Sequence, residues 1–106
     1  MISQETIQEA IQRLVKAYNP LIIYFYGPYG WGTPDDDDDL NILLIIESSN
    51  EKAHKRGYKA FDALFGLEIP SRVIVFTKEE FDMSSQDITS PTHEIKNKGK
   101  IVYARP

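Results

Sequence analysis

A chain of 106 residues with 42% hydrophobic and 26% charged side chains sustains one globular core and not two. No apolar run reaches the roughly 20 residues that a membrane helix needs. The opening MISQETIQEAIQ lacks the basic and apolar regions of a signal peptide, and with no cysteine there are neither disulfides nor Cys-ligated zinc, so a cytoplasmic domain is expected.

Five of the sixteen acidic residues form one run, Asp35 to Asp39; removing them from a net charge of −4 leaves +1. The negative charge is therefore local, and it argues against direct contact with a nucleic-acid backbone there, because it repels a polyanion unless cations intervene. His54, Lys55, Arg56 and Lys59 make only a short basic patch, read as the solvated face of a helix.

In chain order, residues 4 to 17 carry Ile7, Ala10, Ile11, Leu14 and Val15 at three- and four-residue spacing behind Ser3, a good N-cap, and predict an amphipathic helix that stops at Asn19-Pro20. Leu21 to Tyr26 is apolar on both faces and predicts a central strand. Gly27 ends it, and Pro28, suited to a first helical position, opens a short turn over residues 28 to 32. Leu40 to Ile46 predicts a second buried strand. Ser48 and Glu51 have the spacing of a capping box, which predicts a helix over about 50 to 65 with Ala53, Tyr58, Phe61, Leu64 and Phe65 inward and Gly66 as its stop. Arg72 to Thr77 predicts a third strand, with Thr77 placed to cap the turn Lys78-Glu79-Glu80. Residues 83 to 92 read as a polar loop, 92 to 98 as a short helix, and Lys100 to Tyr103 as a closing strand. The expected fold is α/β, or α+β by stricter naming: a small mixed sheet of three or four strands with helices mainly on one face.

Chemistry concentrates between the first two strands. In a strand, alternate residues share a face, so Asp37, Asp39 and Asn41 are expected to project together as oxygen donors. Mg²⁺ takes one or two protein carboxylates, keeps several waters and completes its shell with substrate phosphates. Upstream, the turn after Gly27, with Gly30 inside it, offers backbone amides to an anion. Phosphate at a helix start beside metal on a strand is the layout of a phosphoryl-transfer site. A calcium loop is a poor reading, because Leu40 stands where that loop needs glycine. Gly30 and Gly32 also serve as plain turn residues, and Tyr29 and Trp31 as partly buried aromatics rather than base-stacking ones.

These residues resemble the minimal branch of the nucleotidyltransferases related to DNA polymerase β, whose pattern is Gly-Ser, ten residues, then Asp-x-Asp. Here Gly27-Pro28 is followed by ten residues, Tyr29 to Asp38, and by Asp39-Leu40-Asn41. The order of helices and strands through to Gly99-Lys100-Ile101-Val102-Tyr103 is similar over the whole chain. The resemblance implies a polymerase β palm-like fold and transfer of a nucleotidyl group from an NTP, ATP foremost, to a hydroxyl with Mg²⁺. Gly27, Pro28, Gly30 and Arg72 then face the nucleotide, and Asp39, Asn41 and Asp37 face the metal. It also implies an alternative, a non-catalytic antitoxin-like partner of a helical HEPN-type protein, or a homo-oligomer. The departures weaken catalysis: Pro28 has no hydroxyl, Asn41 has no charge, and the third acid is replaced by Arg72 or, one residue earlier, Ser71. An Asp37–Asp39 grip two residues early is the way to keep two acids. Arg72 is expected to pair with Asp39, a fixed cation in place of a metal.

Overall fold

The computed structural model describes residues 1 to 106, Met1–Pro106. The first helix, α1 (Gln4–Tyr18), starts where Ser3 accepts a hydrogen bond from the Thr6 amide at 3.2 Å. It ends at Asn19, which adopts a left-handed conformation (φ 47°) and returns its N–H to Val15 O at 2.8 Å ahead of Pro20. Ile7, Ala10, Ile11 and Leu14 form its buried stripe, as the spacing predicts.

Four strands follow the predicted positions closely: β1 (Ile22–Tyr26), β2 (Leu40–Ile46), β3 (Ser71–Thr77) and β4 (Lys100–Ala104). The sheet order is β3-β2-β1-β4, with β1 antiparallel to β2 and β4 and β3 parallel to β2. The domain is thus a mixed α+β fold around a four-stranded mixed sheet. Strand β2 is interior to the sheet and buried on both faces along Ile42–Ile45, as its apolar run after Asn41 requires.

The helices cover both faces, not mainly one. On the first, Ile23, Phe25, Leu40, Ile42, Leu44 and Val75 pack under α1 and under α3 (Tyr58–Ala63), through Ala60 and Leu64. On the second, Tyr24, Leu43 and Ile45 meet Phe81 of α4 (Lys78–Ser85) and Ile95 of α5 (Pro91–Lys98), with the Tyr24 and Phe81 rings stacked at 5.8 Å. Each large aliphatic side chain so buried contributes roughly 1.5–3 kcal/mol.

The second layer arises because residues 83 to 92 are not one polar loop. Thr77 and Glu80 form a reciprocal capping box, Glu80 N–H to Thr77 Oγ1 at 3.2 Å and Thr77 N–H to Glu80 Oε1 at 2.9 Å, and this nucleates α4. Ser90 caps α5, with Pro91 at its first position.

The predicted helix over 50 to 65 is also corrected. Ser48 and Glu51 form no capping box; instead Ser49 Oγ accepts the Glu51 amide at 3.0 Å, and a 3₁₀ turn runs over Ala53–Lys55. Gly57, costly inside a helix, separates that turn from the six residues of α3. The stripe that meets the sheet is Arg56, Ala60 and Leu64, so Tyr58, Phe61 and Phe65 lie outside rather than inward. Gly66 (φ 90°) turns the chain away, as expected of a stop. No helix is long and apolar enough to cross a membrane.

Candidate functional site

The sheet registers bring one row of side chains to the end of β1. Tyr26 is opposite Asn41 across the antiparallel pair, and Asn41 is opposite Arg72 across the parallel pair. The alternation that sends Tyr24, Leu43 and Ile45 toward α4 and α5 puts this row on the same face. The Tyr26 phenol is pushed above its usual value by burial, against the opposing pull of the Arg72 charge.

Gly27 follows with φ 70° and ψ −151°, a conformation that L residues avoid. A β-carbon there would lie 2.8 Å from Asn41 Nδ2, so the first and last members of the Gly-to-Asn motif are in direct contact. One turn of helix, α2 (Pro28–Trp31), packs hard on the strand end: a β-carbon at Gly30 would lie 2.4 Å from Phe25 O.

The turn offers less to an anion than its sequence suggests. The Gly30 and Trp31 amides both return to Gly27 O at 2.9 Å, and Pro28 has no N–H. Only the Tyr29 amide is left without a protein acceptor in the first turn. Tyr29 itself is half-buried, its hydroxyl accepting the Ile2 amide at 3.0 Å, and Trp31 is 42% exposed.

The aspartate run folds upon itself. Asp38 Oδ2 accepts the Asp35 amide at 2.9 Å, Asp35 Oδ1 accepts the Asp37 amide at 2.9 Å, and Asp36 pairs with the N-terminal ammonium, which holds its carboxyl below the usual range. Strand β2 begins only at Leu40, so Asp37 lies in a turn and does not share a strand face with Asp39 and Asn41. Asp39 is exposed, immediately before the strand, with no hydrogen bond or ion pair to its carboxylate.

The expected Arg72–Asp39 pair does not form: Arg72 is exposed and has no anionic partner within 4 Å. Strand β3 begins at Ser71, and Arg72 is the residue in register with Asn41, so neither position offers a carboxylate beside it. No three acidic or histidine side chains converge anywhere in the molecule. One carboxylate, Asp39, and one amide oxygen, Asn41, suit a single Mg²⁺ whose other ligands are water and phosphate oxygens, and do not suit a pair of ions.

Five surface clefts of about 290–500 Å³ are lined by residues other than Gly27, Asp39, Asn41 and Arg72. A polar cleft of about 500 Å³ lies instead beyond the carboxyl end of β2, among Glu47, Ser48, Arg56, Lys59 and Arg105. Arg56 is the residue that the sequence misplaced: it is buried, not part of a solvated patch, and it grips Glu80 with two nitrogens, at 2.6 and 3.1 Å. The Thr77-x-x-Glu80 spacing was the available signal for an anchored glutamate, but nothing local names its partner 24 residues upstream. The basic neighbours His54, Lys55 and Lys59 are exposed, as expected. Compared with known proteins, the chain matches no family model, no curated protein and no solved structure.

Proposed function

We propose that the domain binds a nucleoside triphosphate, ATP foremost, at the Gly27–Asn41 corner, as a nucleotidyltransferase-like domain whose transfer activity is weak. The observation that carries the reading is the contact between Gly27 and the Asn41 amide, beside an exposed Asp39 free of any partner. A motif of turn glycine and strand donors has chemical meaning only if its two ends meet, and here they do. Asp39 and Asn41 would hold one Mg²⁺, which when bound neutralises phosphate charge. The Tyr29 amide and the Arg72 guanidinium would face phosphate oxygens, an arginine being suited to that contact.

Weak transfer follows from the same corner. Pro28 supplies no hydroxyl or N–H, and Arg72, always protonated, cannot act as the general base that an acid at its position would provide. That substitution equally favours a second reading, a binding subunit that has dropped chemistry and works through a protein partner such as a HEPN-type helical protein.

Trp31 reports on this corner. Titration with ATP and Mg²⁺ is expected to give a saturable change in Trp31 fluorescence that Asp39→Ala weakens at least about tenfold, the order of one charge-assisted contact. Absence of any response, confirmed by calorimetry, refutes nucleotide binding. Incubation with labelled ATP then separates the readings: label transferred to protein, nucleic acid or small hydroxyl compounds marks the transferase, and binding without transfer marks the subunit.

A further inference from the structure

The sheet face under α4 and α5 is crossed by three rows of side chains, because β1, β2 and β3 stand in continuous register. Ile22, Ile45 and Phe76 form the first row, and Tyr24, Leu43 and Ile74 the second. Ile45, Tyr24 and Leu43 lie in the core built with Phe81 and Ile95, and Ile22 and Phe76 pack against it. Tyr26, Asn41 and Arg72 form the third row, at the end of the sheet where the chain leaves β1 through Gly27. Two rows that feed the core give way at once to a phenol, an amide and a guanidinium.

Each member of this third row holds donors that the protein does not use. The hydroxyls of Tyr18 and Tyr29 are hydrogen-bonded within the chain; that of Tyr26 is not. The Asn41 amide lies against Gly27, which has no side chain to meet it. Arg72 has no acid within 4 Å. Tyr26 and Asn41 are half-buried and Arg72 is exposed, and the Arg72 charge acts on the Tyr26 phenol.

We propose that this row is the phosphate-binding face of the corner, and that the Tyr26 hydroxyl donates to an oxygen of the same phosphate chain that Arg72 holds. The inference rests on the nucleotide reading and adds to it a further binding residue and the part of the ligand that the row recognises, the phosphates rather than the base. Donor chemistry selects them. A guanidinium only donates, and a phenol keeps its proton at neutral pH and so donates to an anion. Asn41 offers the row's one strong acceptor, its amide oxygen, which that reading turns to the metal. Neighbouring members stand one strand spacing apart, about 4.8 Å, so Tyr26 and Arg72 are about 10 Å apart at the backbone, a span for long side chains to meet successive phosphates. The row's single charge is positive, and hydrogen bonds to ionised oxygens are the strong ones.

Calorimetry on the full chain tests it, with ATP and Mg²⁺ and, separately, with inorganic tripolyphosphate and Mg²⁺. Both should bind the wild type. Tyr26→Phe keeps the ring and removes a hydroxyl without a protein partner, so the urea midpoint should not move. Affinity for both ligands should fall at least about tenfold, the worth of a hydrogen bond to a charged group. Arg72→Gln, at an exposed position, should weaken both at least as much. A wild type that binds ATP, with a Tyr26→Phe variant that binds it equally well, overturns this inference and leaves the nucleotide reading standing. A loss for ATP without one for tripolyphosphate also overturns it, since the hydroxyl then reads another part of the nucleotide. A lower urea midpoint in Tyr26→Phe does the same, because the hydroxyl then serves the fold. Tripolyphosphate bound without ATP, and lost in Tyr26→Phe, upholds the phosphate row and refutes the nucleotide reading. A wild type that binds neither refutes both.

Discussion

The pair between Arg56 and Glu80 should be strongly asymmetric in what its two halves are worth. Arg56 is 6% exposed and Glu80 44% exposed on its side chain, so one partner is enclosed and the other can reach water. The Arg56 hydrogen bonds, helped by the Thr77 amide and opposed by burial, hold the Glu80 carboxyl down from its ordinary 4.5 to about 2. Such a drop represents at most ~3 kcal/mol, and the exposure of Glu80 screens it to about 1–2 kcal/mol. Glu80→Ala does something worse than remove that contribution. It leaves a guanidinium enclosed without an anion, at about 3–5 kcal/mol, and strips the cap from the Thr77 amide, at about 1 kcal/mol more. Glu80→Gln keeps an acceptor and should cost about 2–3 kcal/mol. Arg56→Met leaves only a glutamate free to face solvent and should cost about 1–2 kcal/mol. Urea unfolding of the three variants at neutral pH checks this order. The pH dependence has a fixed sign. Because the folded chain holds Glu80 ionised to about 2, the unfolded chain takes up the proton first, so the pair's contribution is whole above pH 4.5 and fades as pH falls toward 2. Arg56→Met costing as much as Glu80→Ala would refute the reasoning, as would a wild type whose stability falls no faster below pH 4.5 than that of Glu80→Gln.

Two glycines give independent checks on the corner. Gly30→Ala introduces a β-carbon 2.4 Å from Phe25 O, so α2 must lift from the strand end; a loss of about 1–3 kcal/mol in urea unfolding and a shift in Trp31 emission are expected. Gly27→Ala is strained by φ 70° and by the approach to Asn41 Nδ2, and should cost about 1–2 kcal/mol from the backbone alone. The approach to Asn41 adds about 1 kcal/mol that should disappear in a double-mutant cycle with Asn41→Ala; a purely additive cycle would mean that the two residues do not touch.

Elements defined by a single clear period could be read from the residues alone. Ser3 and the 7-10-11-14 stripe fix α1, and the apolar runs at 22–26, 40–46 and 71–77 fix three strands to within a residue or two. Helix α3 could not be oriented because two stripes compete, Arg56-Ala60-Leu64 and Tyr58-Phe61-Phe65, of which only the aromatic one reads as apolar and the fold buries the one led by a charge. Helix α4 was hidden by polarity: it sends chiefly Phe81 and Ser85 inward, too few to make a visible period, and its existence rests on a cap. Strand register sets Tyr26 opposite Asn41, so the two ends of the stretch from Gly27 to Asn41 are neighbours in the fold. The expectation that Asp37 shares a face with Asp39 and Asn41 failed because the strand starts at Leu40, and strand alternation was extended three residues too early.

That boundary also explains how five adjacent carboxylates are tolerated and what Asp39 can do. Asp35 and Asp38 are occupied by amides of their own turn, and Asp36 by the N-terminal ammonium, so much of the run's polarity is answered locally. Asp39 keeps its carboxylate free at the point where the chain enters the sheet. The neighbouring strand lies about 4.8 Å away and carries Arg72 opposite Asn41, so a divalent ion at Asp39 has one free carboxylate beside it and a cation on the adjoining strand. At an effective dielectric of 20, a cation about 7 Å from a divalent ion repels it by about 5 kcal/mol before solvent screening, against about 8 kcal/mol that a carboxylate returns at about 4 Å. Arg72 so placed works against a bare metal ion at Asp39. A triphosphate changes the balance, since its oxygens supply both the missing ligands and the charge that Arg72 attracts. On the nucleotide-binding reading, the metal therefore arrives at Asp39 with the triphosphate rather than ahead of it.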